Sequence, residues 1–482
     1  MLLRLLSTLN LKLLIAAVGL VFVMASSAQA GYLYVLADED AGNDIYGFDV
    51  DESTGELTAL AGFPIPTGGA GNDIALVCHR IVADTLNNRL YVINNTSNTV
   101  SAFSVDPGTG ALTPMPFSPI AIGTGTWNAM DIHPSGSPLL VANGATGGGV
   151  VSINITATTA EIVAGSPFPM GAATAFSNTF SVDGNYYYVG GNTGANIAGF
   201  SVNSSTGVLT PLKGSPFATG ANNPVAHAAD SAGRLFLVNT GSTANPPPLR
   251  VFTTTDGIPS PVTNNPFPSG LTQRRDSLIH PSGNFFIVAG NTGNNIGVYQ
   301  INGSGADTTL AAVTGSPFAG GGTTANVLAV TPDGQFLYLG NRLSRNVSSF
   351  SVNTTTGALT NIGVQPSNTM GTIGSVTGMA YMPAAFASAT IAGRVTGPDG
   401  HGLVQTEIRL TSNDGTINML ARSSPFGYYR FPPLPTGRTY TLTPTKKQFV
   451  FSPTSIVHDH TAEANDLDFI GSRGGSDATV KR

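Results

Sequence analysis

The sequence is poor in charge, in cysteine and in long apolar runs, and each shortage excludes something. Only 10% of its 482 residues are charged, while Gly (59), Asn, Ser and Thr abound, a balance that suits many short strands and tight turns rather than helices. Cys78 is the sole cysteine, so no intrachain disulfide can form and stability must come from packing; a small buried strand residue accounts for it better than a nucleophile. Beyond residue 30 no stretch is long and apolar enough to span a bilayer. There is no GxSxG, P-loop, CxxC or HExxH. One strongly apolar stretch does exist, at the start: residues 1–30 combine Arg4 and Lys12 with an apolar run and end Ala28-Gln29-Ala30. That is the pattern of an export signal cleaved after Ala30.

What the chain has instead is repetition. GSPF occurs at 165–168, 214–217 and 315–318, and a recurring tetrapeptide marks a repeated structural unit before it marks chemistry. FDVDESTGELT (48–58), FSVDPGTGALT (103–113), FSVNSSTGVLT (200–210) and FSVNTTTGALT (350–360) align. Weaker copies begin near Ile153, Val251 and Tyr299, so seven anchors recur about every fifty residues. Pro64, Pro119, Pro167, Pro216, Pro266, Pro317 and Pro366 follow them in step. Within a unit the alternation has the period of strands, as in GQFLYLGN (334–341) and NVSSFSVN (346–353). Turns are explicit, with HPSG at 133–136 and 280–283 and TPDG at 331–334.

Four strands per unit, seven times, predicts an all-β, seven-bladed β-propeller over 31–385. GYLYVLA (31–37) reads as a second strand, and the missing first strand reappears as SVTGMAYMP (375–383). One blade is therefore closed by both termini, leaving no open edge. The GSPF proline is expected to end the outer ladder, with the next residue plugging between blades.

After Pro383 the rhythm stops. Residues 389–471 predict a separate small β-sandwich, with 472–482 a disordered tail. Gly393-x-Val395, Pro398-Asp399-Gly400, Gly427-Tyr428-Tyr429-x-Phe431, Leu434-Pro435-x-Gly437 and Asp468-Phe469 resemble the carboxypeptidase regulatory-like, transthyretin-like family, which implies a non-catalytic spacer or adhesive module. Residues 31–388 hold 9 Lys/Arg against 19 Asp/Glu; such an acidic propeller argues against a nucleic-acid partner.

The propeller itself resembles the secreted seven-bladed lactonase-like family, related to propeller-type 6-phosphogluconolactonases and YVTN-repeat proteins. The resemblance rests on Leu90-Tyr91-Val92-Ile93-Asn94, the FSV-x-x-x-TG-x-LT hairpins and the HP-x-G turns. It implies an Arg-His pair leading into an inner strand. The nearest copy here is QRRDSLIHPSG (273–283), where Arg275 holds the Arg slot and Asp276 stands in place of His.

Propeller topology places the crossover loops at one mouth of the channel. Asn72, Asp73, Trp127, Asn128, Asn178, Asn223, Arg274, Arg275, Asp276 and Asn326 fall there. Arg275 and Asp276 are the candidate catalytic residues; Trp127, Asn128, Asn178, Asn223, Arg274 and Asn326 are candidate ligand contacts. His133 and His280, in the HPSG turns, are expected to make structural hydrogen bonds, whereas His79 and His227 fall on inner strands and can line the channel. His458 and His460 share a strand face but lack a third ligand, and Asp38, Glu39, Asp40 and Asp44 form an acidic loop that fits no standard calcium site. No metal or cofactor is expected.

Two functions fit these residues. One is an exported monomeric binding or scaffold protein, secreted or periplasmic, whose channel mouth recognises a small molecule, carbohydrate or surface protein. The other is a lactonase-like hydrolase in which Arg275 and polar channel groups activate water.

Overall fold

The computed structural model describes residues 31–38, 42–72, 79–145, 147–171, 174–191, 194–239, 248–365, 375–384, 388–412, 417–435, 438–460 and 463–474. Residues 1–30, expected from sequence to be an export signal, and Asp73 and Cys78 lie outside them. Seven antiparallel sheets follow one another in the described chain up to Pro383. Blade 1 joins Gly31–Asp38, Asp44–Val50 and Leu57–Ala59 to Ser375–Pro383, with Leu33 paired to Phe48 on one side and Tyr381 on the other. Blades 2 to 7 begin with inner strands at Ile81, Trp127, Ser177, Pro224, Arg274 and Ala325. The chain is thus a seven-bladed propeller closed by its two ends.

The repeated motif acquires a physical role in each part. The Asp or Asn after FSV caps the hairpin turn: Asp106 Oδ1 accepts from the amides of Gly108 (2.9 Å) and Thr109 (3.0 Å), and Asn353 Oδ1 does the same for Thr355 and Thr356. The Gly of the TG pair sits at positive φ, 69° at Gly110 and 74° at Gly55, which only Gly adopts without strain. Its carbonyl then receives a tyrosine from the preceding blade. Tyr34 donates to Gly110 O (2.7 Å), Tyr188 to Gly257 O (2.7 Å) and Tyr338 to Gly55 O (3.2 Å). The last of these joins blade 7 to blade 1, so ring closure uses the same contact as its neighbours.

GSPF behaves differently from the expectation that proline ends the outer ladder. The Ser hydroxyl accepts from the third strand, as Ser215 Oγ does from Gly199 N (2.9 Å) and Ser316 Oγ from Val298 N (2.9 Å). After the cis proline the chain returns to the same strand: Phe217–Ala218 pairs with Ile197 and Asn196, and Phe318–Ala319 with Ile296 and Asn295. The proline interrupts the outer strand because it has no N–H to donate, and pairing resumes at the very next residue. Five of the seven sheets therefore carry a fifth, two-residue strand. The aromatic ring does fill a gap; a Cβ on Gly199 would lie 2.8 Å from Phe217.

Among the described residues from Ser388 onward, two four-stranded sheets occur. One orders Tyr428–Arg430, Ala392–Thr396, Phe469–Arg473 and Phe449–Ser452; the other orders Asn418–Arg422, Glu407–Ser412, Arg438–Thr445 and Ile456–His460. Val395, Ile408, Leu410, Tyr440, Leu442 and Phe469 share one fully buried core. No described helix is long and apolar enough to cross a membrane.

Candidate functional site

Each inner strand of blades 3, 5, 6 and 7 carries a register shift near its start, between Trp127 and Ala129, Pro224 and Ala226, Arg274 and Ser277, and Ala325 and Val327. A bulge breaks the alternation of faces and re-aims a side chain. The re-aimed residues tie blade to blade: Asn128 Nδ2 donates to Ala175 O (3.2 Å) and Asn326 Nδ2 to Val376 O (3.0 Å). Trp127 is buried, its indole N–H shared between Gly123 O (3.0 Å) and Asn98 Oδ1 (3.2 Å). Arg274 is fully buried, donating to Ser269 Oγ (2.8 Å), Leu271 O (3.3 Å) and the Asn239 carbonyl. Asn223 is half-buried at positive φ, its amide bonded to Gly194 O. Asn72 receives the guanidinium of Arg80, which also pairs with Asp38. Asp38 of the acidic loop is thus turned inward and buried rather than solvated.

The cavity lies deeper. Its volume is about 380 Å³, and it runs from the level of His79 and Asp276 toward the turn ends of the inner strands at Ala83, Ala229 and Ile279. Asp276 and Asn178 line it; Trp127, Asn128, Asn223, Arg274, Arg275 and Asn326 do not. Arg275, although next to Asp276, is buried outside the cavity wall.

The main polar feature is a bridge across the lumen. The backbone of His79, at the head of the blade 2 inner strand, pairs with Ala129 of blade 3 and Gly378 of blade 1. Its imidazole extends to blade 6, where Nε2 lies 3.1 Å from Asp276 Oδ1. Asp276 is held from two sides: Oδ1 accepts from Ser277 N (2.8 Å) and Oδ2 from Leu328 N of blade 7 (2.8 Å). Asp131 of blade 3 accepts from Ile132 N (2.9 Å) and from Phe180 N of blade 4 (3.4 Å). His227 of blade 5 and Asn178 of blade 4 complete the polar wall. Neither ring nitrogen of His227 and neither amide atom of Asn178 has a hydrogen-bond partner of normal geometry, though they are 2% and 1% exposed. Buried polar groups are normally satisfied by protein or water; a cavity is where a ligand or ordered water satisfies them.

Charge in this cluster is strongly coupled. Burial disfavours the imidazolium of His79, but its bond to Asp276 and the negative charges of Asp276 and Asp131 outweigh that and raise its pKa above the ordinary value. Burial pushes Asp131 up to about 6 against the opposing pull of His79. Burial, and then the neighbouring charge of His79, bring His227 down to about 3. The imidazole–carboxylate pair can accept and return a proton, beside a neutral imidazole and an amide able to donate or accept hydrogen bonds.

Of the two histidine pairs, the one on the inner strands converges with Asp276 and Asn178. The other pair, in the HPSG turns, is committed: His280 meets Ser282 Oγ (2.8 Å) and Gly334 O (2.8 Å), and His133 meets Ser135 Oγ (2.7 Å). Sequence reasoning missed Asp131. The signal was available, since Asp131 and Thr179 both stand two residues before the turn that ends their inner strand. Among the described residues no group of three or more His, Cys, Asp or Glu is placed to hold a metal ion; His460 bonds Ala389 O (3.0 Å) with one nitrogen.

A closed ring of seven blades around a lumen of this kind defines a seven-bladed β-propeller with a polar channel. The sequence matches the family described as lactonase, 7-bladed beta-propeller, over residues 34–226 and 248–373, and the chain belongs to that family. No curated protein matches the sequence. Similar solved structures include a candidate 6-phosphogluconolactonase from Bacteroides fragilis, at 16% identity and TM-score 0.57, covering 74% of this chain and 99% of that one. A second, from Bacteroides uniformis, has 16% identity and TM-score 0.55 over 73% and 100%. The periplasmic gluconolactonase of Pseudomonas aeruginosa has 15% identity and TM-score 0.54 over 74% and 99%. At these identities the likeness establishes the fold alone.

Proposed function

We propose that the channel hydrolyses a lactone, with His79 as the proton carrier. The observation that carries this reading is the His79–Asp276 bridge, 3.1 Å long, spanning a cavity in which His227 and Asn178 make no side-chain hydrogen bond of normal geometry. With Nε2–H donated to Asp276, the lone pair of the imidazole is on Nδ1. Nδ1 takes a proton from water as the oxygen of that water bonds to the ester carbonyl carbon. Asp276 and Asp131 stabilise the imidazolium so formed. An amide N–H of Asn178 is the donor nearest to hand for the developing oxyanion. The ring C–O bond then breaks, the imidazolium protonates the departing alkoxide oxygen, and a hydroxy acid leaves. Asp276 acts through His79, orienting it and stabilising its charge, as carboxylates do beside other catalytic imidazoles. The leader at residues 1–30 supports a periplasmic or secreted location.

The test is hydrolysis of a panel of lactones by purified protein, followed by acid release, for wild type beside His79→Gln, Asp276→Asn and Arg275→Ala. Wild-type turnover that falls about 10²- to 10⁴-fold in His79→Gln, and stays within about threefold in Arg275→Ala, supports the reading. Turnover lost only in Arg275→Ala would move the catalytic role to that guanidinium. No turnover on any lactone by a folded protein would leave the channel as a binding site.

A further inference from the structure

The charges around the lumen do not balance. Two carboxylates line it, Asp131 and Asp276, and a third stands behind the wall, where Tyr381 donates to Glu52 Oε1 (2.8 Å). All 9 Lys and Arg of the propeller are among the described residues, and none of them lines the cavity. Among the described wall residues His79 alone is disposed to carry positive charge, since burial holds His227 neutral. The Nε2 of His79 is already bonded to Asp276.

Asp131 is the carboxylate left over. It accepts from the amides of Ile132 (2.9 Å) and Phe180 (3.4 Å) and forms no ion pair among the described residues. A carboxylate taken out of water is normally matched by a cation. Burial here outweighs the pull of His79 and pushes Asp131 up to about 6, as expected of a carboxylate short of positive charge.

The groups beside it can accept hydrogen bonds. Asp131, Asn178 and His227 come from consecutive blades, 3, 4 and 5, and line the same space. Asn178 and His227 are almost fully buried, yet their side chains make no hydrogen bond of normal geometry, and neither does Ser277 Oγ on blade 6. Asn178 offers its amide oxygen, and a neutral His227 offers one ring lone pair. A primary ammonium carries three N–H donors and no acceptor, which matches one carboxylate, one amide oxygen and one imidazole nitrogen. A phosphate or carboxylate would meet like charge, without the guanidinium or ammonium that such anions need. A hydroxyl would leave Asp131 without a countercharge. A metal ion is less suited, because among the described residues no three His, Cys, Asp or Glu are grouped to hold one.

We propose that the lumen carries an ammonium subsite, formed by Asp131 with Asn178 and His227, and that its ligand is a small primary amine rather than an anion. That this ligand is also a lactone rests on the hydrolase reading; the subsite itself does not. Asn178 can serve both, with its N–H toward the ester and its oxygen toward the ammonium.

The probes are lactams, which keep the ring and carbonyl and resist hydrolysis. Calorimetric titration of the full chain at pH 7 would compare δ-valerolactam, its 5-amino derivative, the N-acetylated form of that amine and the 5-carboxylate. The amine should bind about tenfold or more tightly than the parent lactam, since charge-assisted hydrogen bonds are stronger than neutral ones. The carboxylate should bind more weakly than the parent. Acetylation, which removes the charge, should abolish the preference. Asp131→Asn should bring the amine to within about threefold of the parent; Asp131→Ser is the second variant should the first fail to fold. An amine preference that survives both substitutions, equal or tighter binding of the carboxylate, or no binding of the amine to folded wild type overturns the proposal. The two readings fail separately. Amine preference without turnover of the matching aminolactone removes the hydrolase and keeps the subsite, whereas turnover of uncharged lactones with no amine preference does the reverse.

Discussion

Two pairs of histidines, each at the inner strands of one propeller, have opposite surroundings. His133 and His280 sit at turn ends, with Nδ1 of each bonded to a serine hydroxyl and His280 reaching the backbone of the next blade as well. Burial lowers the pKa of both, and the neutral ring serves as a rigid clasp. His79 and His227 sit inside the ring. One faces a carboxylate across the lumen, and the other makes no hydrogen bond of normal geometry through either nitrogen. Residue type is therefore uninformative here, and satisfaction of the ring nitrogens is what separates structure from chemistry.

The largest test of that contrast is kinetic. If the lumen pair does chemistry and the turn pair does not, His79→Gln should lower lactone turnover by about 10²-fold or more, while His280→Gln should leave kcat/KM within about threefold. Equal losses in both, measured on protein of matched stability, would erase the distinction.

Next comes stability, where the order should invert. Arg274→Met leaves the Leu271 and Asn239 carbonyls without their donor and should cost about 2–3 kcal/mol in urea unfolding. His280→Ala removes two buried hydrogen bonds and should cost about 1–3 kcal/mol. His227→Leu, which removes two unpartnered nitrogens, should stay within about 1 kcal/mol at pH 7. A large loss there would mean that ordered water or a protein group satisfies that ring after all.

The subtlest expected difference is the acid limb of stability. His227 titrates at about 3 in the folded chain, well below its ordinary 6.5, so the unfolded chain binds the proton more readily. Its contribution is intact above about pH 6.5 and is lost as pH falls toward about 3. His227→Leu should flatten that decline in a Tm-against-pH series. Asp131 works in the opposite sense, since its pKa is raised to about 6; Asp131→Asn should relieve a penalty that builds between about pH 4 and 6 and persists above. A Tm-against-pH curve unchanged by both substitutions would show that neither group is held as the lumen implies.

Much of the fold was legible because its causes are local. The turn-capping Asp106 and Asn353, the positive-φ Gly55 and Gly110, and the strand alternation act within a few residues, and each recurs in the sequence wherever the structure uses it. The GSPF motif was half legible: proline does break the ladder, but resumption of the outer strand at Phe217 and Phe318 depends on pairing with a strand some twenty residues earlier. At the candidate site, Asp276, Asn178 and the two lumen histidines could be nominated from their strands. The strand-initial Trp127, Asn128, Arg274 and Asn326 looked equivalent to them. What set Asn128 and Asn326 apart from the lumen residues was the bulge that turns them onto the next blade, and no residue type announces it.

By itself, then, the sequence determined the unit, its number and the closing strand, because hydrophobic period, turn chemistry and side-chain caps act over short spans and add up when repeated. Only the tertiary structure decided which polar residues meet. His79 and Asp276 lie 197 positions apart and become neighbours across a lumen that exists only once seven blades have closed. Their protonation follows from burial and mutual charge in that enclosed space, quantities that a linear chain does not contain.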